Sequence, residues 1–181
     1  MWLVVVGIII VLIILWVIST YNSLVSLRER VSNATAQIAT QIESRWDAVK
    51  SLIDATKQYA KYEGETLEKI TENRSSIGRN SSVSEMEADQ EQFNNVLGRL
   101  IAVSENYPDL KASNVYQTTM KSINDYENNV RNSRMIFNDV VTRLNRKIQM
   151  FPSNIVASIF AFKTQAYFES TENKRDMPTW E

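Results

Sequence analysis

Residues 1–18 of the chain read MWLVVVGIIIVLIILWVI, and 17 of these 18 residues are apolar. No charged side chain occurs before Arg28. At about 1.5 Å per residue, a helix over this run covers most of a hydrocarbon core of roughly 30 Å. Trp2 and Trp16 lie near its two ends, where indole rings favour the membrane–water interface. We therefore predict a transmembrane helix over residues 1–20.

Two other interpretations of the apolar run are weaker. Core helices of globular proteins are rarely apolar on every face over such a length. A cleaved signal peptide would suit Val17 and Ser19 as cleavage positions, but the run is long for that purpose and no Lys or Arg precedes it. Arg28 and Arg30 follow the run closely, so the positive-inside rule predicts an outside N-terminus, a single pass through the cell membrane and a cytoplasmic C-terminal region.

The composition of the 181 residues excludes several classes of chemistry. The chain has no cysteine and no histidine, which removes disulfides, thiolate nucleophiles, the usual zinc ligands and His-dependent catalytic triads. Its 20 Lys and Arg nearly balance its 21 Asp and Glu, which argues against a nucleic-acid partner. With only four glycines and three prolines, tight turns are few. We predict long helices, no enzymatic activity and no cofactor.

Apolar residues recur every three or four positions through most of the chain, which indicates helices. The membrane helix is predicted to continue to about Tyr62, followed by helices over residues 65–77 and from Ser82 to about Asn106. Ser82 and Glu85 have the spacing of a capping box, as do Ser84 and Glu87, and Pro108 ends the third helix. The two longest apolar stripes run from Leu24 to Tyr59 and from Tyr116 to Phe151, and they are expected to form the core. A helix over residues 114–151 and a short one over 155–162, capped by Ser153 or Asn154, complete the set.

The predicted fold is all-α: an N-terminal transmembrane helix that continues into a cytoplasmic antiparallel four-helix bundle with a short C-terminal helix. The corresponding domains are the span (1–20), the bundle (21–168) and a mobile polar tail (169–181). Trp180, in that tail, would be an exposed aromatic able to anchor in a partner's groove, although an incidental position is the simpler interpretation.

Four blocks of the sequence closely resemble corresponding blocks of the LemA family of bacterial membrane proteins. These blocks are YNSLVSLRERV (residues 21–31), TKQYAKYEGETLEKITENR (56–74), GRLIAVSENYPDLKAS (98–113) and FPSNIVASIFAFKTQAYFE (151–169). The resemblance implies an outside N-terminus and a cytoplasmic antiparallel helical bundle, and it supplies no reaction and no catalytic residue. The chain departs from the family in RWDAVKSL (45–52), where Lys50 stands at the position of a usual proline, so a straighter helix is expected there.

Metal and ligand sites have little support in the sequence. Di-iron sites in helical bundles need Glu-x-x-His pairs, and the chain has no histidine. Glu63, Glu65, Glu68 and Glu72 form an acidic cluster at helical spacing, and a solvated helix face explains such a cluster better than a Ca²⁺ or Mg²⁺ site does. Aromatic residues along the stripes are explained by core packing rather than by a small-molecule pocket.

Two apolar surfaces are candidates for contact with partners. The first is a membrane-proximal, coiled-coil-like stripe that would associate with other copies: Leu24, Leu27, Val31, Ile38 and Ile42. The second is a C-terminal patch that would close the bundle, pack on another copy or lie on the membrane surface: Ile155, Val156, Ile159, Phe160 and Phe162.

These features predict a non-enzymatic scaffold or adaptor protein that contacts the lipid bilayer, forms a homo-oligomer and binds other membrane proteins. The alternative is a membrane-anchored sensor or regulatory bundle that couples ligand or partner binding to a membrane process; such a domain should change stability when its ligand binds.

Overall fold

All regular elements in the part of the chain that the structure describes are α-helices. The computed structural model describes residues 1–72 and 77–168. In chain order the helices are α1 (Trp2–Lys57), α2 (Lys61–Glu72), α3 (Val83–Asn106), α4 (Pro108–Ala112), α5 (Asn114–Gln149) and α6 (Ser153–Ile159). The all-α class is thereby confirmed for the described residues. The antiparallel four-helix arrangement stays a prediction, as do the domain limits, and the tail from residue 169 lies outside the described part.

Helix α1 contains the apolar run and continues far beyond it. Within the described residues, it is the one helix long and apolar enough to cross a membrane. Most large side chains of the run are at least half exposed, so the run has an apolar surface on all sides. Exposure of an apolar surface of this size is favourable in lipid and unfavourable in water. The helix is therefore a candidate membrane span that extends without a break into the rest of the protein.

Helix α1 ends five residues before the predicted end at Tyr62. The chain turns at residues 58–60, where the N–H of Ala60 donates to the carbonyl of Thr56 at 2.8 Å. Gly64 of α2 then packs against Lys57, so closely that a Cβ at Gly64 would lie 2.6 Å from Lys57 Cγ. The turn thus depends on the missing side chain of Gly64. Tyr59, predicted at the end of the core stripe, is exposed instead.

Helix α3 begins with the predicted capping box. The hydroxyl oxygen of Ser82 accepts the N–H of Glu85 at 3.2 Å, and the N–H of Ser82 donates to Glu85 Oε2 at 2.6 Å. The second possible pair, Ser84 and Glu87, is not used as the cap. These reciprocal bonds satisfy amide groups that have no partner within the helix, which fixes its first residue.

The capping box should make the first turn of α3 sensitive to acid. The N–H and hydroxyl of Ser82 lower the pKa of the Glu85 carboxyl below its ordinary 4.5. A lowered pKa stabilises the folded state above pH 4.5, and this contribution is lost as the pH falls through the folded-state pKa. We expect the NMR amide signals of Ser82 and Glu85 to shift together in that range. Glu85→Gln, which cannot ionise, should abolish the shift; its persistence would contradict the assignment.

The remaining helices differ from prediction mainly at their ends. Pro108 ends α3 as predicted but also begins the short helix α4, because proline is well suited to a first helical turn. Helix α5 ends at Gln149, and Phe151, predicted to be in the core, is 80% exposed. Helix α6 begins at Ser153 without a side-chain cap: its N-cap is Pro152, and Ser153 Oγ donates to the carbonyl of Lys147 at 2.7 Å.

The described residues separate into two compact units, each with its own core. Unit 1 comprises Met1–Val31 and the chain from Asn138, and unit 2 comprises Ser32–Phe137. Fully or nearly fully buried side chains in unit 1 include those of Leu24, Val141, Leu144 and Val156. In unit 2 they include those of Ile38, Ile42, Val49, Leu52, Ile53, Met86, Phe93, Val96, Leu100, Ile123 and Val130.

Candidate functional site

Unit 2 contains a charged cluster in its interior that connects α1, α3 and α5. The guanidinium of Arg45 is fully buried. Its Nη2 donates to Asp89 Oδ2 at 3.1 Å, and its Nη1 donates to Gln90 Oε1 at 2.8 Å and Glu127 Oε2 at 2.5 Å. Trp46 Nε1 donates to the other oxygen of Asp89 at 3.0 Å. A buried charge is tolerated only with such partners, so these residues hold three helices in one arrangement.

Aromatic rings enclose the same cluster. Arg45 stacks on the ring of Phe93, with its guanidinium carbon 3.7 Å from the ring centroid. Trp46 meets Phe93 edge-on at 5.6 Å between centroids. Burial, together with the nearby charge of Arg45, lowers the pKa of Arg134, which also donates to Gln90. The cluster is shielded from solvent on the α1 side, so its geometry is that of a structural element rather than of a substrate site.

An aromatic contact joins α1 to the end of α6 in unit 1, directly after the apolar run. The ring of Tyr21 lies 4.7 Å from that of Phe160 and 5.9 Å from that of Phe162. Arg28 lies about two helical turns further along α1, with its guanidinium carbon 5.6 Å from the centroid of the Phe162 ring. Tyr21 and Arg28 are seven residues apart and therefore share a face of α1. The C-terminal segment is thus fastened close to the predicted membrane surface.

Two asparagines of α5 bind the extended segment 162–168. Asn145 Nδ2 donates to the carbonyl of Gln165 and its Oδ1 accepts the N–H of the same residue, both at 2.9 Å. Asn138 makes the same pair of bonds with Phe168 at 3.0 Å. Seven helical residues span about 10.5 Å and three extended residues span about 10 Å, so the two spacings match. The segment is thereby aligned with α5.

A groove in unit 1 combines positive charge with apolar surface. It has a volume of about 650 Å³ and is lined by α1 and by the chain around the end of α5. Its cationic residues are Arg30, Arg143, Arg146 and Lys147, and its apolar residues include Trp16 of the apolar run. Arg143 forms an ion pair with Asp139 at 2.8 Å, whereas the other three cations have no ion pair among the described residues.

Positive charge is concentrated in the unit that contains the apolar run. Residues 19–31 and 138–168 hold six Lys and Arg and two Asp and Glu, a net charge of +4. Residues 32–137 hold 12 Lys and Arg and 15 Asp and Glu, a net charge of −3. Residues 169–181 hold two Lys and Arg and four Asp and Glu, so the near-zero charge of the whole chain is the sum of regions of opposite sign.

The predicted C-terminal patch is divided by the structure. Ile155, Ile159 and Phe160 are 51%, 69% and 48% exposed, whereas Val156 is fully buried in unit 1 and Phe162 is half-buried against Tyr21. The patch therefore both closes the core of its unit and leaves apolar surface outside. Residues Ile155 and Ile159, four positions apart, lie on one face of α6.

The predicted membrane-proximal stripe lies mostly inside the chain. Leu24, Val31, Ile38 and Ile42 are buried and Leu27 is half-buried. An interface between copies through this stripe stays a prediction, but little of its apolar surface is left for a second copy. In the acidic cluster, Glu63 accepts from Tyr107 and Glu68 pairs with Lys57 at 2.7 Å. Among the described residues, no group of three acidic side chains is placed to hold a metal ion.

The partners of Arg45 were not predicted from the sequence. Asp89 lies three residues after Met86 and four before Phe93, on the buried face of α3, and it is only 5% exposed. An acidic residue at a core-facing position of an amphipathic helix is a signal that a buried cation lies opposite. Arg45 directly precedes Trp46 of the apolar stripe, so it was a candidate for that buried cation.

Comparison with known proteins agrees with the resemblance noted in the sequence. The family model described as the LemA family matches residues 34–181. Protein LemA of Metamycoplasma hominis is 29% identical over 158 residues, which cover 85% of this chain and 71% of that protein.

Two magnetosome proteins match a shorter part of the chain. Magnetosome protein MamQ 2 of Paramagnetospirillum magneticum is 35% identical over 77 residues, and magnetosome protein MamQ of Magnetospirillum gryphiswaldense is 36% identical over 76 residues. Each match covers 42% of this chain and 28% of the relative. The chain thus spans little more than a quarter of these two relatives.

Proposed function

Because this chain belongs to the LemA family, we propose that it is a non-enzymatic membrane scaffold or adaptor that self-associates through its helical region. The relatives and the apolar helix support membrane association. We propose that the N-terminus lies outside and the rest of the chain in the cytoplasm, since Arg28 and Arg30 closely follow the span.

The observation that carries self-association is the exposed face of α6. Ile155, Ile159 and Phe160 leave about half or more of their surface in solvent, although α6 is packed firmly through Val156 and Ala157. A contiguous apolar surface on a folded element is typical of an interaction site. In a symmetric dimer the same patch of two copies would meet, so that the apolar side chains of each copy cover those of the other.

The non-enzymatic part of the proposal is supported by the chemistry of unit 2. Its most unusual charged group, Arg45, is fully buried and is occupied by Asp89, Gln90 and Glu127. A substrate cannot reach this group without separating α1 from its neighbours.

Cysteine cross-linking tests self-association directly, because the chain has no native cysteine. In membranes, Ile159→Cys should form disulfide-linked dimers on oxidation. Val115→Cys, 55% exposed at the start of α5, is the matched control and should remain unlinked. In mild detergent, Ile155→Asp combined with Ile159→Asp should reduce the measured particle mass to that of one chain.

Either of two results in the mass and cross-linking measurements would contradict self-association through α6. One is a wild-type particle with the mass of a single chain in mild detergent. The other is equal cross-linking of Ile159→Cys and Val115→Cys. If a probe at residue 159 is quenched by brominated lipid while no dimer forms, the patch faces the bilayer and this part of the proposal is wrong.

A further inference from the structure

We propose that the groove in unit 1 binds the phosphate of an anionic phospholipid of the surrounding bilayer. This inference rests on the membrane anchoring in the proposed function and is independent of self-association. Its first support is charge: among the described residues, Arg30, Arg146 and Lys147 line the groove without an ion pair. Cations that converge on one groove without acidic partners are suited to bind a phosphate.

The position of the groove along α1 is the second support. A hydrocarbon core of roughly 30 Å takes about 20 helical residues, and the headgroup layer on each side adds about 5–8 Å. If the apolar run occupies the core, that layer begins near Thr20 and extends for a few residues beyond it. Thr20, Ser23 and Ser26 line the groove over about 9 Å, and Ser23 and Ser26 are at least partly exposed. The groove therefore includes the depth of lipid phosphates.

The apolar residues of the groove favour a lipid over a soluble phosphate. Trp16, Met150 and Phe151 line the same groove, and Met150 and Phe151 are 56% and 80% exposed. A free phosphate makes no use of such residues, whereas the glycerol and first acyl carbons of a lipid would cover them. Residues 19–31 and 138–168 carry a net charge of +4, which adds long-range attraction to an anionic membrane surface.

Lipid retention by the full chain tests the site. The protein is reconstituted in nanodiscs with equal amounts of phosphatidylglycerol and phosphatidylcholine, and retained lipids are counted by native mass spectrometry. We expect the wild type to retain phosphatidylglycerol preferentially. Arg146→Gln combined with Lys147→Gln should reduce this preference roughly tenfold or more, because each basic residue at an anionic surface adds substantially to binding.

A control pair separates the groove from general surface charge. Lys121→Gln combined with Arg131→Gln removes the same charge from exposed positions of α5 outside the groove, and it should leave the preference unchanged. Equal losses in the two double variants, or a wild type without preference, would overturn the proposal. So would full displacement of phosphatidylglycerol by millimolar inorganic phosphate, which would identify a soluble ligand. Failure of the protein to enter nanodiscs of phosphatidylcholine alone would instead contradict the membrane anchor.

Discussion

Arg45→Met is expected to lower the free energy of unfolding by about 3–5 kcal/mol. The substitution leaves the Asp89 carboxylate, whose side chain is 3% exposed, with the Trp46 indole as its remaining donor in the cluster. It also removes the Arg45 ion pair of Glu127, but Glu127 is one-third exposed, can regain water and still interacts with the charge of Arg134. A buried carboxylate without a cation is costly because burial removes its hydration. Urea unfolding of the full chain in detergent, followed by circular dichroism, measures the loss.

A matched substitution on the same helix shows whether the loss of stability comes from the burial of the ion pair or from the loss of any ion pair. Lys57→Met breaks contacts to Asp54 and Glu68 that are partly solvated, so it should cost less than about 1 kcal/mol. The double variant Arg45→Met, Asp89→Leu should be more stable than Arg45→Met alone, since an apolar replacement removes the uncompensated charge. Equal effects of Arg45→Met and Lys57→Met would mean that the buried cluster has no special role in stability.

Replacing Asn138 and Asn145 together by alanine is expected to release residues 162–168 from α5. The two side chains make four hydrogen bonds to the backbone of that segment. At roughly 1 kcal/mol for each bond, the segment should open up to about a thousandfold more often. Because the opened segment contains Lys163, trypsin cleavage after this residue should accelerate, and the amides of Gln165 and Phe168 should exchange faster with solvent.

The control for this prediction is Asn129→Ala combined with Asn132→Ala. Both residues are exposed on α5, and neither binds the segment. Their replacement should leave cleavage after Lys163 at the wild-type rate. If instead the two double variants behave alike, the segment is held by the buried ring of Phe168 rather than by the asparagines.

Helices were predictable from the sequence where a long apolar stripe marked the buried face or a capping-box pattern marked the first turn. The spacing from Leu24 to Ile53 predicted the buried face of α1. Of the two predicted capping boxes, the one formed by Ser82 and Glu85 is the one at the start of α3. The ends were harder to predict because they depend on distant contacts. The end of α1 depends on the approach of Gly64 to Lys57, which no local pattern near residue 57 reveals.

The candidate sites were only partly accessible from the sequence, since they join residues far apart in the chain. Ile155, Ile159 and Phe160 were identified from their apolar character, but the burial of Val156 beside them was not. The Arg45 cluster unites positions 44 and 82 residues apart, and the groove joins the end of the apolar run to the end of α5. Sequence spacing describes one helix at a time, whereas these sites depend on which helix faces are adjacent.

The buried guanidinium also bears on the fidelity of folding. Apolar stripes on helices are nearly periodic, so a displacement of α1 by one turn, about 5.4 Å, would still bring apolar side chains together. Such a displacement would carry Arg45 into the place of Gln41 or of the fully buried Val49, away from Asp89. The misaligned form would hold an unpaired charge among apolar groups and would be strongly disfavoured. Arg45 thereby discriminates against structures that the apolar residues alone would accept.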